Sequence, residues 1–331
     1  MTKILLAHGS GGKKSHQLIT EVILPHFDNP ILNRLDDQGI FNLGGNKVAM
    51  STDSYVVDPP FFAGGDIGKL AVHGTVNDLA VSGARPLYLS VGMILEEGFE
   101  ISELEKILQS MQEAALEAEV SIVTGDTKVV PRGSADKIFI NTAGIGLIEG
   151  EAITGSGARP GDLILINGTI GDHGMAVMAA REKFDVSNVF SDSAPLHGLI
   201  REVMAVCEVH AMRDPTRGGV ATTLKEIALQ SRTSLLIEEN KIPIHPAVGV
   251  LCDLLGFDPL FVANEGKCLF FVHPEGAERA LAAMRLHPYG REAAIIGKVE
   301  EGPAGQVALK TAIGGKRLLD MLVGQQLPRI C

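Results

Sequence analysis

The sequence predicts a mixed α/β protein, α/β or α+β, built as two domains. Three observations carry that reading. The chain has 331 residues, more than a single hydrophobic core usually serves. Short apolar runs of strand type alternate with segments of helical periodicity. The stretch Gly-Ser-Gly-Ala-Arg-Pro-Gly-Asp at 155–162 interrupts that pattern, and a fresh apolar run follows it. The expected organisation is one domain over 1–154, a second over 155–323, and a flexible tail over 324–331.

Taken in order, strands are expected at Val48–Thr52, Leu87–Leu95, Val120–Thr124, Ile138–Leu147, Leu163–Ile166, Leu235–Glu238, Leu269–Val272 and Ala294–Ile296. The clearest helix is Ser102–Glu119. Ser102 can cap it with Glu105 completing a capping box, and Leu104, Ile107, Leu108, Met111 and Ala115 form one apolar stripe. Further helices are expected at Ile67–Ser82, Gly174–Lys183, Leu196–Cys207, Gly219–Ser231, Pro246–Leu255 and Glu275–Leu286.

Composition narrows the function. Net charge is −11, with no Trp and 5% aromatic residues, and no basic stripe is visible, which argues against nucleic acid. No apolar run approaches the ~18 residues that span a bilayer, and the opening Met-Thr-Lys-Ile-Leu-Leu-Ala is too short for a signal-peptide core. A cytoplasmic protein without membrane partners is expected. Cys207, Cys252, Cys268 and Cys331 are widely spaced, which excludes a zinc ribbon or a Cys-x-x-Cys redox pair. The first three read as buried small hydrophobes. P-loop, dinucleotide-fingerprint, zincin and nucleophile-elbow motifs are all absent.

What remains is a series of aspartates in small-residue turns: Asp53, Asp66, Asp78 next to Asn77, Asp126 and Asp214. Magnesium takes hard oxygen ligands from a few carboxylates and nucleotide phosphates, and converging aspartates need cations to coexist. Each aspartate taken alone also reads as ordinary turn or cap chemistry. Asp-Pro-Thr-Arg-Gly-Gly leads into a helix at Gly219, so free N–H groups, Thr216 and Arg217 can meet a phosphate. Lys128, two residues beyond Asp126, is either a phosphate-holding charge or a solvated lysine. Glu265 precedes an apolar strand and reads either as a general base or as a turn cap. The loop His8-Gly-Ser-Gly-Gly12 reads as a phosphate-wrapping loop or as a lid. His73, in a small-residue helix, reads as a core histidine.

The C-terminal stretch carries the most distinctive feature. Gly324 and Pro328 oppose helix, so the last eight residues are expected to form a loose tail ending in Cys331. Fully extended, they reach roughly 25 Å at about 3.3 Å per residue. Two readings stand: a tethered carrier thiol, or an ordinary chain end. A prenylation signal is excluded, because the cysteine would have to be fourth from the end.

With these residues assembled, the chain resembles the HypE family, hydrogenase maturation proteins that make cyanide for nickel–iron hydrogenases. The resemblance rests on HGSGG at 8–12, GGDIGKLAVHGTVNDLAVSGARPLYLS at 64–90, TGDTKVV at 124–130, INTAGIG at 140–146, DPTRGG at 214–219, ANEG at 263–266 and PRIC at 328–331. That family sits in a wider group similar to aminoimidazole ribonucleotide synthetase, selenophosphate synthetase and thiamin monophosphate kinase. The resemblance implies that fold, with an N-terminal sheet pairing in a homodimer, and ATP and magnesium as cofactors. It implies that Asp53, Asp78, Asp126 and Asp214 serve metal and phosphate, with Asp66, Asn77, Lys128, Thr216 and Arg217 on the nucleotide. Lys128 and Glu265 inherit catalytic roles, exchangeable between them, and Cys331 the carrier role. It implies a carbamoyltransferase that loads Cys331, ATP-dependent dehydration of the S-carbamoyl group to a thiocyanate, and an iron-binding maturation complex that accepts cyanide. The α-carboxylate beside the thiol disfavours the thiolate, so activation is expected from the loading partner. Two rivals remain: an enzyme of the same fold acting on a free small molecule, and a scaffold that carries a modified cysteine without consuming ATP.

Overall fold

The computed structural model describes residues 3–324, 327 and 329–331. After α1 (Lys13–Leu18), the first half holds β1 (Gly39–Leu43), β2 (Asn46–Tyr55), a short ribbon of β3 (Phe61–Phe62) and β4 (Gly65–Asp66), α2 (Ile67–Ala80), β5 (Arg85–Glu96), α3 (Ile101–Glu117), β6 (Ser121–Val130) and β7 (Ile138–Ile148). Its five-stranded sheet runs β1-β2-β7-β5-β6, with β5 and β6 parallel and the other pairs antiparallel.

Helix α2 covers one face of that sheet. Its small residues explain how closely it lies: a Cβ on Gly74 would stand 2.1 Å from the Tyr55 hydroxyl, and one on Gly68 2.6 Å from the Ile107 carbonyl. Larger residues would force α2 off both the sheet and α3. The opposite face is open. Met50, Ile145 and Tyr88 pair across β2, β7 and β5, and all three side chains are exposed. Strand β6 lies at the sheet edge with nearly every residue exposed.

The second half holds β8 (Leu163–Ile166), α4 (Asp172–Glu182), α5 (His197–Val206), β9 (Val209–Arg213), α6 (Gly219–Ser231), β10 (Ser234–Glu238), α7 (Pro246–Leu255), β11 (Leu269–Val272), α8 (Ala277–Leu286), β12 (Ala294–Glu300), β13 (Gln306–Lys310) and β14 (Lys316–Leu319). The seven-stranded sheet runs β14-β13-β10-β12-β8-β11-β9. Strand alternation sorts its side chains into two layers. Ile164, Ile166, Leu269 and Phe271 pack with α6, and Leu165, Phe270, Val272 and Met212 with α5 and α8. A third cluster joins Tyr55 and Val57 to Met175 and Val177 of α4, Val248 of α7, and the terminal Ile330 and Cys331.

Every expected strand and helix exists, with ends shifted by a few residues. β1, β9, β13 and β14 went unread because each is short or flanked by charge. One local expectation fails: Glu100, not Ser102, is the N-cap of α3, and it makes no side-chain cap. The chain enters that helix one residue before the Ser-x-x-Glu pattern, so Ser102 lies inside its first turn.

Candidate active site

The last residues of the tail are docked, not loose. The Val56 N–H donates to the Cys331 carbonyl at 3.0 Å, and the Asp58 N–H to the Arg329 carbonyl at 3.3 Å. Residues 329–331 thus lie beside 56–58, held by their carbonyls. Arg181 donates Nη2–H to the Arg329 carbonyl at 2.8 Å. Arg329 donates Nε–H to the Val56 carbonyl at 3.0 Å, pairs with Asp136, and sits 5.9 Å over the Phe139 ring. At the base of the tail, the Lys13 N–H donates to the Leu322 carbonyl at 2.9 Å, and the Ser10 hydroxyl to the Gly324 carbonyl at 3.1 Å. The His8–Gly12 loop therefore clasps the base of the tail. It also reaches Arg217, whose Nη1–H donates to the Gly9 carbonyl at 3.1 Å.

Docking leaves Cys331 7% exposed. Burial pushes its thiol up to about 12; Arg217 opposes that rise, while Glu265 and Asp53 add to it. The docked sulfur is therefore a neutral thiol, a poor nucleophile. Glu265 is 4% exposed. Burial, then Asp53, Asp192 and Asp214, hold its carboxyl well above the usual range, while Arg217 pulls it down.

The loop holding Glu265 is fixed from three sides. Asn77 donates Nδ2–H to the Glu265 carbonyl at 3.1 Å, and the Glu265 N–H donates to Asp192 Oδ1 at 3.1 Å. Asn264 donates Nδ2–H to the Pro215 carbonyl at 2.9 Å and accepts from the Gly171 N–H at 2.8 Å. Burial would raise the Asp192 carboxyl, but Lys267, 3.0 Å away, and the Glu265 N–H outweigh it and hold it low.

Around these groups the acids gather. Asp214 leaves β9 at the start of Asp-Pro-Thr-Arg-Gly-Gly, a turn that needs Gly218 and Gly219 at φ +85° and +63°. Burial and then Asp37 push Asp214 up to about 8. Asp78 accepts from the Ser51 hydroxyl at 2.6 Å and is pushed well above its ordinary value by burial, Asp214, Asp37 and Asp53. Arg217 Nη2 lies 3.8 Å from Asp53. Arg213 ties Asp37 at 2.9 Å and Glu226 at 3.3 Å.

Asp37, Asp53, Asp78, Asp214 and Glu265 thus share one region with Arg213 and Arg217 as the named offsets, too few for all five acids to be ionised together. Among the described residues, no group of three or more His, Cys, Asp or Glu side chains is arranged to hold a metal ion alone. The all-oxygen donor set and its shortage of cations fit magnesium that brings nucleotide phosphates as its remaining ligands.

Three of the expected site residues lie apart from this group or are engaged elsewhere. Asp126 does not join the other aspartates. It lies on β6 with its neighbour Lys128, 2.7 Å away, and the two side chains are 69% and 68% exposed. By register Lys128 pairs beside Ile94 and Phe139, on the open side of the sheet, where both residues line a groove of about 440 Å³ with Ser54, Val56 and Asn141. Asp66 spends its carboxylate capping α2, accepting from the Gly68 and Lys69 N–H groups at 2.7 and 3.0 Å. Asn77 is buried with its amide bonded to Ala194, Glu265 and Leu196, so it positions the Glu265 loop. Of the aspartates expected in turns, Asp53 and Asp126 lie within long strands and Asp78 in a helix, while Asp214 does stand in the turn after β9. Thr216 is partly buried in the turn, its carbonyl accepting from the Gly219 N–H at 2.9 Å. His73 is fully buried against Ser193 at 3.2 Å, a core histidine as read.

Tyr55, Asp37, Arg213, His173, Arg181, Asp192 and Lys267 were not foreseen. The Gly-Asp-His-Gly helix start and the Ser-Asp-Ser-Ala-Pro turn were the available signals for His173 and Asp192.

Comparison with known proteins follows this geometry. The family described as AIR synthase related protein, N-terminal domain, matches residues 35–148, and its C-terminal-domain counterpart residues 159–310. The chain is 52% identical to the carbamoyl dehydratase HypE of Rhizobium leguminosarum bv. viciae, over 99% of this chain and 95% of that one. It is similar to a crystal structure of the hydrogenase maturation protein HypE in complex with ATP, with TM-score 0.84, 53% identity, and coverage of 99% and 100% of the two chains. A HypE–HypF complex gives TM-score 0.87 at 49% identity, covering 92% of this chain and 99% of that one.

Proposed function

Because this chain belongs to the HypE family, within the AIR synthase related proteins, we propose that it is an ATP-using carbamoyl dehydratase whose substrate is the S-carbamoyl group on its own Cys331. The observation that carries this reading is the docked tail: a terminal cysteine buried beside Glu265 and Arg217, at the edge of an acidic region with too few cations for its acids. An ordinary chain end has no reason to occupy such a pocket.

The steps follow from the residues. A docked thiol pushed up to about 12 does not attack an acyl donor, so loading takes place with the tail outside, on a partner transferase. The existence of a HypE–HypF complex supports a dedicated loading partner. After loading, the tail returns and the carboxamide oxygen attacks the γ-phosphate of ATP, releasing ADP. Arg217, beside both Asp53 and the Cys331 site, orients the phosphoryl acceptor. Glu265 takes a proton from the carboxamide nitrogen. The C–O bond then breaks, phosphate leaves with its electron pair, and the second N–H proton departs as the nitrile forms. The net change is loss of one water from the carbamoyl group, coupled to ATP becoming ADP and phosphate. Magnesium held by Asp53, Asp78 and Asp214 with phosphate oxygens would neutralise charge on the transferring group. Positive charge arriving there also lowers the Glu265 carboxyl toward its working range. The tail then undocks and delivers the cyano group to an iron-binding maturation complex.

The position of Lys128 supports a homodimer in which it serves the other copy. It sits on the open, apolar-lined face of the first sheet, beside the unpaired edge of β6, and the second copy's Lys128 and Asp126 would complete the nucleotide end of each site.

Mass spectrometry of the C-terminal peptide tests the reading. After incubation with carbamoyl phosphate, the transferase and ATP, the peptide should gain a carbamoyl group and then lose one water. A carbamoyl peptide that persists unchanged with ATP present would reject it.

A further inference from the structure

The carbonyl of Ile330, one residue before the carrier sulfur, is held by a side chain that the reaction above does not use. His173, fully buried at the start of α4, places Nε2 2.8 Å from that carbonyl. A carbonyl only accepts, so Nε2 carries the proton. Nδ1, 2.9 Å from the Ser191 hydroxyl, is then the acceptor, and the hydroxyl donates to it. The ring is held edge-on to Phe62, with centroids 5.5 Å apart, and burial favours its neutral form.

The second half of the argument lies in the loop that His173 grips. Ser191 Oγ also accepts from the Ser193 N–H at 3.2 Å. Between them, Asp192 Oδ1 accepts from the Glu265 N–H at 3.1 Å. Asp192 also meets the next residue, since a Cβ on Gly266 would stand 1.8 Å from its carbonyl oxygen. One three-residue loop, 191–193, therefore touches the tail through His173 and the base through its own carboxylate. The loop is also anchored by the Ser191 N–H, which donates to the Ala63 carbonyl at 2.8 Å, by Lys267 on Asp192 at 3.0 Å and by His73 on Ser193 at 3.2 Å. Every link is buried or half-buried, so no link is softened by exchange with bulk water.

We propose that His173 is the positioning residue of the docked tail: its Nε2–H fixes the Ile330 carbonyl and, through the Ser191–Ser193 loop, sets the sulfur of Cys331 in register with Glu265. His173 touches neither the sulfur nor the base. It makes the docked arrangement persist and sets its geometry. The inference rests on Cys331 being the carrier, but docking itself is measurable without any dehydration chemistry.

The test measures reaction of Cys331 with N-ethylmaleimide in the full-length protein, followed on the C-terminal peptide by mass spectrometry. His173→Leu removes the donor while keeping an apolar filling. Labelling should rise about tenfold, since a buried hydrogen bond lost from a locally opening segment shifts its open population by that order. His173→Gln places an amide N–H near the Nε2 position and should return labelling to within about threefold of the parent. Ser191→Ala, which frees Nδ1, should give about a threefold rise and serves as the decisive variant if His173→Leu does not fold. Single-turnover dehydration of the loaded tail should slow in the same order, with the KM for ATP unchanged. Labelling unaltered in His173→Leu, or in Ser191→Ala where that is the folded variant, overturns the proposal, as does a Gln variant as labile as Leu. Labelling that responds as stated in a protein that never dehydrates its tail leaves the latch standing and rejects the dehydratase reading instead.

Discussion

Two of the acid–base neighbourhoods in this molecule behave oppositely. On β6, Asp126 and Lys128 form an exposed pair in which Lys128 holds the Asp126 carboxyl below its ordinary range. In the tail pocket, Glu265 and Arg217 are neighbours too, yet the Glu265 carboxyl is held well above its range. Water decides the difference. On β6 each charge is solvated and the pair adds little. In the pocket burial dominates, and Asp53, Asp192 and Asp214 outweigh one guanidinium. The pocket has too few cations for its acids, whereas on the edge strand Lys128 and Asp126 balance each other. That shortage is the physical case for a nucleotide-borne cation in the pocket.

The largest effect expected on this contrast is from Glu265→Gln. It keeps the shape but removes the proton acceptor, so dehydration of the loaded tail should slow by about 10²–10⁴-fold while ATP still binds. A slowing below tenfold in a single-turnover assay would assign the base elsewhere. Next comes the division of labour between copies. Lys128→Ala and Cys331→Ala proteins, each inactive, are mixed after dissociation and reassembly. If Lys128 acts across the dimer, about a quarter of the parental sites become competent, because half the dimers are mixed and each holds one complete site. No recovery would place Lys128 in its own chain's site.

A smaller effect concerns pH. The Asp214 carboxyl, 3.8 ordinarily, is pushed up to about 8 in the fold, and Glu226 up to about 7. Between the ordinary and folded values the folded protein keeps protons that the unfolded chain has lost. Stability is therefore fullest below the ordinary carboxylate range and falls as pH rises through 7 to 8. Asp214→Asn should flatten that fall, by on the order of 2 kcal/mol at alkaline pH in nucleotide-free protein. Denaturant titrations across pH measure it, and an unchanged slope would remove Asp214 from the uncompensated set. The smallest effect is at the clasp on the tail's base. A Cβ on Gly12 would lie 2.2 Å from the Leu322 carbonyl oxygen, whereas one on Gly9 meets nothing. Gly12→Ala should cost about 1–3 kcal/mol and Gly9→Ala far less; equal melting temperatures would show that the clasp is loose.

Much of this was readable before folding. Glu265 and Asp214 announce themselves because each stands in a turn where a polar group next to an apolar strand needs a reason. Cys331 was readable from its place at the end of the chain, but not its docked position, which depends on Val56, Arg181 and His173 well over a hundred residues away in sequence. That Asp126 stands apart from the other aspartates within one chain was not legible, because a one-dimensional pattern does not say which face or edge of a sheet a strand occupies. Asp66 and Asn77 were legible as site candidates, but their engagement in a helix cap and with the Glu265 loop is visible only once their neighbours are known.

The most direct test of the central claim is an infrared spectrum of the protein loaded with ¹³C-carbamoyl phosphate by the transferase and then given ATP. A nitrile band that shifts with the isotope, forms in the parent protein, and is absent from Cys331→Ala is the predicted result. A nitrile band that survives Cys331→Ala, or a loaded parent that never develops one, would contradict it.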